Sequence, residues 1–140
     1  MKGKVVWNSG MSFTGKLDGF DLIIDADEKV GGNNLGPRPK GLTLLSLAGC
    51  TGMDVISILK KMRVEVESFE VATEALLTEE HPKKFKKIKI IYEIKGENIP
   101  VDKVKKAVSL SEDRYCGVSA TLKPSVEITS EIKINGKTTV

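Results

Sequence analysis

Residues 40–62 read KGLTLLSLAGCTGMDVISILKKM, and this stretch decides how the chain folds. Its first two-thirds carry apolar side chains on every side of a helix, as a helix at the centre of a core does. Pro39 suits the first helical position, and lysines gather at the end, where the helix dipole favours cations. The pattern predicts one long, buried central helix, Lys40–Met62.

The same stretch is also long and apolar enough to cross a membrane. However, Asp54, the glycines at 49 and 52 and four hydroxyl residues lie inside it, and strands are predicted on both sides of it. The first residues of the chain contain no apolar run of signal-peptide length. We therefore expect a cytoplasmic protein with no membrane partner.

Alternating apolar residues and turn signals place short strands around this helix. One hairpin turns at Asp18-Gly19, a sequence that favours a type I′ turn. The predicted elements are a strand at Lys4–Trp7, a hairpin at Ser12–Ile24, the central helix, strands at Val64–Leu77 and Lys84–Gly96, a helix from Pro100 to about Cys116, and a strand at Ser125–Ile134. The order βββ-α-ββ-α-β predicts an α+β fold in which an antiparallel sheet surrounds the long, cysteine-bearing central helix.

The two strands after the central helix are predicted to pair as a hairpin. Their core-facing residues are odd-numbered in the first strand and even-numbered in the second, which limits the register. From the turn geometry we expect Phe69 to face Tyr92 in the core, and Glu74 to face Lys87 on the solvent side.

Size, charge and composition limit the possible functions. The 140 residues, 40% hydrophobic and 29% charged, suit one soluble domain over residues 1–140. The net charge of +3, with three arginines against nineteen lysines, argues against a nucleic-acid partner. The lysine-rich strand 83–89 is interpreted as a solvated sheet face, with nucleic-acid binding as its weaker alternative. The carboxylates of Asp25, Asp27 and Glu28 are interpreted as a solvated turn.

Cys50 and Cys116 are the candidate reactive groups. With His81 as the single histidine they are too few for a structural zinc site, so no metal is expected. A free cysteine is often only a small core residue. Gly49 and Gly52 beside Cys50 each cost about 1 kcal/mol inside a helix relative to alanine, which favours close approach of another backbone or a ligand there.

Cys116 follows Arg114 at a predicted helix end, where a cation favours the thiolate. The two cysteines form no CxxC motif, and in a reducing cytosol the pair is expected to be reduced at rest.

The segments around these cysteines resemble the OsmC/Ohr family, and most closely its OsmC-like branch. They are Gly36–Pro39, Leu44–Thr51, Asp54-Val55, Leu59–Arg63 and Arg114–Leu122. The resemblance covers nearly the whole chain, because the strand order and the places of both cysteines agree with it. It implies a single OsmC-like domain that forms an intertwined homodimer with its active sites at the subunit interface.

The resemblance also implies an activity, that of a thiol-dependent peroxidase reducing organic (lipid) hydroperoxides in oxidative or osmotic stress defence. Cys50 corresponds to the peroxidatic cysteine and Cys116 to the resolving one, so that a Cys50 sulfenic acid would condense to a Cys50–Cys116 disulfide. A small or protein-bound dithiol, lipoyl-type in some members, would restore the thiols. No cofactor is implied.

Two positions depart from the family pattern. Lys40 stands where peroxidase members carry a glutamate ten positions before the first cysteine, and no arginine precedes Arg38. Cys50 is about 16 Å along the helix from Pro39, beyond the reach of the helix dipole. The candidate activating cations are therefore Arg38, Lys40 and Arg114. The departures favour one alternative, a non-catalytic binding protein for an apolar or acyl ligand on the same dimeric fold.

Overall fold

The computed structural model describes residues 1–139. The elements in chain order are β1 (Gly3–Ser9), β2 (Ser12–Leu17), β3 (Phe20–Ile24), a 3₁₀ turn (Glu28–Val30), α1 (Pro39–Lys61), β4 (Ser68–Leu77), β5 (Phe85–Lys95), α2 (Val101–Leu110), a π-helical turn (Ser111–Tyr115), α3 (Gly117–Leu122), β6 (Glu127–Ile134) and β7 (Lys137–Thr138). The predicted α+β class and the order of the main elements are confirmed, and α3 and β7 are additional. The chain divides into two compact units, Met1–Thr43 and Leu44 onwards.

In the first unit, β1, β2 and β3 form an antiparallel three-stranded sheet. The β2–β3 turn lies at Asp18 and Gly19, as predicted, with φ angles of 51° and 86°. Every residue of β1 is exposed, and the large side chains of Trp7 and Phe20 are 63% and 79% exposed. So small a sheet needs a cover for its apolar side chains, and the described residues leave these open.

The loop after β3 is ordered by one buried carboxylate. Asp25 is 3% exposed and accepts hydrogen bonds from the backbone N–H groups of Ala26, Asn33 and Leu35 at 2.7, 3.1 and 3.2 Å. Burial opposes ionisation of this carboxyl, but the three donors, together with Arg38, lower its pKa. The interpretation of Asp25 as part of a solvated turn is therefore wrong, because backbone donors solvate it in place of water.

In the second unit, β4, β5, β6 and β7 form a four-stranded sheet. β5 pairs antiparallel with β4 but parallel with β6. This parallel pair differs from the expected antiparallel sheet, because α2 and α3 lie between β5 and β6 in the chain and make a crossover connection. The core face of β5 is fully buried and consists of the predicted residues Ile88, Ile90, Tyr92 and Ile94.

The hairpin of β4 and β5 has the predicted faces but a different register. Phe69 pairs with Ile94 rather than with Tyr92, and the partner of Glu74 is shifted by the same two positions, to Lys89. An irregularity near the turn end of β4 changes the register, and sequence patterns do not reveal such bulges. Because the difference is an even number of residues, every side chain keeps its predicted face.

α1 begins and ends within one residue of the prediction, but it is buried on one side only. Its buried residues are Leu47, Ala48, Thr51, Val55 and Leu59. Leu45 and Met53 are 64% and 74% exposed, and only 28% of the most apolar window of the helix is buried. By length and composition alone, α1 could cross a membrane. The predicted burial of α1 on every side is therefore not observed within one chain.

Candidate functional site

The helical segment that begins at Val101 ends directly before Cys116. α2 ends at Leu110 and widens into the π-helical turn, where the backbone N–H of Cys116 donates to the carbonyl of Ser111 at 2.8 Å. Cys116 is extended and forms the N-cap of α3, where its Sγ accepts a hydrogen bond from the N–H of Ser119 at 3.3 Å. The helix therefore ends where the sequence predicts, at about Cys116, but its last turn is π-helical and a short further helix, α3, begins just after it.

The structure brings the two cysteines together. The Sγ atoms of Cys50 and Cys116 and a carboxylate oxygen of Asp54 all lie within 4.8 Å of one another. Both cysteines are free thiols. Asp54 stands one turn after Cys50 on the same face of α1. Cys50 is half-buried, whereas Cys116 is 3% exposed, so the two thiols differ in access.

The environment of Cys116 disfavours its thiolate. Burial, reinforced by the neighbouring Cys50, raises the pKa of Cys116 to about 11, although the backbone N–H groups of Ser119 and Val118 oppose the shift. Arg114 does not reverse this, and its guanidinium lies 5.7 Å from the ring centroid of Tyr115. The expectation that a nearby cation favours the Cys116 thiolate is therefore wrong, because desolvation dominates.

A buried hydroxyl cluster, defined as Thr51, Tyr92 and Ser111, lies behind the cysteines; all three residues are fully buried. Thr51 Oγ1 lies 2.7 Å from Tyr92 OH and 2.8 Å from Ser111 Oγ. At its two ends, Ser111 Oγ donates to Asp54 Oδ2 at 2.9 Å and Tyr92 OH donates to Glu112 Oε1 at 3.1 Å. The hydroxyl cluster therefore links α1, β5 and the π-helical turn by side-chain hydrogen bonds.

The hydroxyl cluster also determines where the thiols lie. Thr51 follows Cys50 directly in α1, and the carbonyl of Ser111 holds the backbone N–H of Cys116. Burial, with a further contribution from Glu112, raises the pKa of Tyr92, so its phenol keeps its proton and remains a hydrogen-bond donor. Both cysteines are thus attached through the backbone to residues whose side chains are bonded to each other.

A groove of about 370 Å³ opens beside Asp54. Its lining includes Asp54 and the apolar or aromatic side chains of Ile58, Met62, Leu110 and Tyr115. Neither cysteine lines the groove, and Asp54 is the residue that belongs both to the groove and to the thiol cluster.

Arg38, one of the three cations considered for activation of Cys50, serves its own loop. It donates to the carbonyl of Gly36 and to Asn34 Oδ1, both at 2.8 Å, and it pairs with Asp27 at 3.4 Å. Lys40 and Arg114 are exposed. The identity of an activating cation remains a prediction for all three residues.

Lysines of the lysine-rich strand form ion pairs with glutamates on a strand that the sequence did not indicate as their partner. Lys87 pairs with Glu127 at 2.9 Å, and Lys89 pairs with Glu131, so both partners lie on β6 rather than on β4. Two of the cations that would have to face a nucleic acid are therefore already matched by carboxylates.

Asp54 is the residue whose position near the thiols the sequence could have indicated. Residues four apart share a helix face, so the spacing of Cys50 and Asp54 within the predicted α1 was a usable signal for their proximity. Tyr92 and Ser111 gave no comparable signal, because only tertiary packing brings β5 and the π-helical turn to α1.

Comparisons with known proteins agree with this architecture. The sequence model of the family described as OsmC-like protein matches residues 31–131. Protein YhfA of Escherichia coli K12 is 30% identical over 135 residues, which cover 96% of this chain and 98% of that protein.

Two solved structures show the same similarity in three dimensions. A hypothetical protein from Aquifex aeolicus VF5 has a TM-score of 0.81 and 31% identity, with 96% of each chain covered. The organic hydroperoxide resistance protein OhrB of Bacillus subtilis has a TM-score of 0.67 and 18% identity, covering 95% of this chain and 98% of that one. The second similarity concerns the fold alone.

A limiting amount of alkylating agent at pH 7 is expected to label Cys50 before Cys116 in the native protein. Cys116 is nearly inaccessible, and a pKa of about 11 keeps it a thiol at that pH. Labelling of Cys116 should rise as the pH is raised towards 11, as peptide mass spectrometry after timed pulses would show. In denaturant both cysteines should label at similar rates. Faster labelling of Cys116 in the native protein at pH 7 would contradict this order.

Proposed function

Because the chain belongs to the family of OsmC-like proteins, we propose that it is a thiol-dependent peroxidase that reduces organic hydroperoxides in defence against oxidative or osmotic stress. One observation carries the proposal: the free thiols of Cys50 and Cys116 lie within 4.8 Å of each other and differ in burial. When two thiols lie close together and one is more accessible than the other, the accessible thiol can act as the nucleophile and the buried one as the resolving thiol.

Cys50 is the attacking residue in this scheme. Its thiolate sulfur bonds to one peroxide oxygen while the O–O bond breaks, and the departing alkoxide takes up a proton to become the alcohol. The resulting Cys50 sulfenic acid condenses with the Cys116 thiol, which releases water and forms the Cys50–Cys116 disulfide. The peroxide gains two electrons, and the two thiols lose two.

The condensation step needs an acceptor for the Cys116 proton, because the raised pKa of that thiol keeps it protonated at neutral pH. Asp54 has a carboxylate oxygen within 4.8 Å of both sulfur atoms and suits this role, directly or through one water. Asp54 therefore supplies a carboxylate at the thiols although Lys40 replaces the family glutamate.

The groove beside Asp54 supports an organic substrate rather than hydrogen peroxide. Its apolar side chains, among them Ile58, Met62 and Leu110, suit the alkyl or acyl part of a hydroperoxide. Hydrogen peroxide has no apolar group that could pack against these side chains.

The reductant in the proposal is a dithiol, either small or carried by a protein, and a lipoyl-type group is suitable. Thiol–disulfide exchange begins at the more accessible sulfur, which is that of Cys50. A second thiol on the same reductant then resolves the mixed disulfide, so a dithiol is expected to be more effective than a monothiol.

Residues 1–140 are proposed to work as one OsmC-like domain within an intertwined homodimer. Support comes from the apolar side chains that one chain leaves open: Trp7 and Phe20 on the first sheet, and Leu45 and Met53 on α1. A second copy is the partner proposed to cover them. The proposal includes a cytoplasmic location, no cofactor, and neither a membrane nor a nucleic-acid partner.

The alternative function is a non-catalytic binding protein for an apolar or acyl ligand. The apolar groove favours it, as does the absence of the family glutamate at Lys40. In that case the groove would be used, but Cys50 would be a half-buried core residue without redox chemistry.

One equivalent of cumene hydroperoxide should convert both free thiols of each chain into the Cys50–Cys116 disulfide. Cys116→Ser should stop at a Cys50 sulfenic acid, which a dimedone probe traps, whereas Cys50→Ser should leave Cys116 unreacted and lower turnover by at least about 100-fold. Thiol titration, mass spectrometry and peroxide consumption measure these outcomes.

Hydrogen peroxide at equal concentration serves as the substrate control and should react more slowly. The proposal fails if wild type keeps both thiols after treatment, or if Cys50→Ser turns over organic peroxide at the wild-type rate. In either case, a fatty acid that binds and protects the groove would support the binding protein.

The protein is expected to be a dimer at micromolar concentration, with more than about 2,000 Å² buried between the copies. Trp7, the single tryptophan, is 63% exposed in one chain, so it reports directly on the open sheet. Light scattering should give twice the chain mass, and acrylamide should quench Trp7 poorly until dilution separates the copies. A monomer with freely quenched Trp7 would contradict the homodimer.

A further inference from the structure

We propose that the reduced chain binds one Zn²⁺ through Cys50, Cys116 and Asp54. This site goes beyond the proposed peroxidase activity, because binding needs neither a peroxide nor a reductant. The sequence predicted no metal, since two cysteines and one histidine are too few ligands for a structural zinc site. In the folded chain, Asp54 on the next turn of α1 supplies a carboxylate as a third ligand beside the two cysteines.

The spacing of the three ligand atoms suits zinc. Bonds of about 2.3 Å to sulfur and about 2.1 Å to oxygen in a tetrahedron place the ligand atoms about 3.6 to 3.8 Å apart. The Cys50, Cys116 and Asp54 atoms all lie within 4.8 Å of one another, so small side-chain movements close the site. Among residues 1–139, this is the group of three such ligands that lies close enough to hold an ion.

The donor chemistry also favours a thiophilic cation. Two thiolates and one carboxylate are typical zinc ligands, whereas magnesium and calcium prefer oxygen ligands alone. Two thiolates and one carboxylate carry three negative charges in a partly buried place, and a divalent cation neutralises most of this charge. Cys50 and Asp54 are half-buried, which leaves the fourth tetrahedral position for water.

Two of the three ligands are already oriented by hydrogen bonds from neighbouring groups. Ser111 Oγ donates to Asp54 Oδ2 at 2.9 Å, and the N–H of Ser119 donates to Cys116 Sγ at 3.3 Å. Outer hydrogen bonds of this kind fix ligand orientation in metal sites, and their loss commonly weakens binding about 10- to 100-fold.

Binding is acid–base chemistry without electron transfer. Zn²⁺ forms two Zn–S bonds and one Zn–O bond, and the two thiols release their protons to solvent. The bound ion occupies the lone pairs with which Cys50 would attack a peroxide, so zinc protects the pair from oxidation. The Cys50–Cys116 disulfide, conversely, removes two of the three ligands. Zinc binding and oxidation therefore exclude each other at this site.

The test is a titration of the reduced protein with Zn²⁺ in competition with a chromogenic chelator, and with Co²⁺ as a spectroscopic probe. We expect one ion per chain, and a Co²⁺ spectrum with thiolate charge-transfer bands and tetrahedral d–d bands. Asp54→Asn should weaken binding at least about tenfold. Asp18→Asn is the matched control, because Asp18 lies in the exposed β2–β3 turn with φ 51°, where asparagine is favoured.

Wild type oxidised to the Cys50–Cys116 disulfide gives a comparison without a mutation and should bind no zinc at the site. The proposal is overturned if reduced wild type binds no zinc, or if Asp54→Asn or the oxidised protein binds as tightly as the reduced wild type. Since the titration contains no peroxide, a protein that binds zinc but lacks peroxidase activity would refute only the proposed function.

Discussion

The hydroxyl cluster of Thr51, Tyr92 and Ser111 is the constraint on which the site depends. A buried hydroxyl without a partner costs about 1–3 kcal/mol, and these three have partners in one another and in the carboxylates of Asp54 and Glu112. Their partners lie on three different elements, α1, β5 and the π-helical turn. The observed arrangement of these elements provides partners for all three hydroxyls, and the same arrangement brings the two thiols together.

The unequal environments of the two cysteines follow from this packing. Cys116 caps α3 in a buried position, and this burial raises its pKa, whereas Cys50 is half-buried on α1. Asp54 joins them because it receives its hydrogen bond from the hydroxyl cluster, through Ser111. Proton transfer in the peroxidase scheme and the proposed zinc site both use this same carboxylate, so the two proposals share one structural cause.

Much of the fold could be predicted from the sequence, because local patterns specify it. The apolar run of α1, the Asp18-Gly19 turn and the alternation along β5 each predicted the element that the structure contains. The parallel pairing of β5 with β6 and the π-helical turn before Cys116 were missed, because they depend on a crossover and on a widened turn without a strong local signal. Of the candidate site, the two cysteines could be predicted from the sequence. The hydroxyls and carboxylates that surround them could not be identified in the same way, because tertiary packing decides which ones lie there.

The most direct measurement is the equilibrium of the Cys50–Cys116 disulfide in a thiol–disulfide redox buffer, compared between Tyr92→Phe and Tyr115→Phe. The first change removes one hydroxyl from the hydroxyl cluster; the second removes a hydroxyl from a tyrosine that is 54% exposed. The account predicts about tenfold less favourable disulfide formation in Tyr92→Phe, which corresponds to about 1.4 kcal/mol or one buried hydrogen bond, and no change in Tyr115→Phe. An unchanged equilibrium in Tyr92→Phe would contradict the claim that the hydroxyl cluster holds the two thiols together.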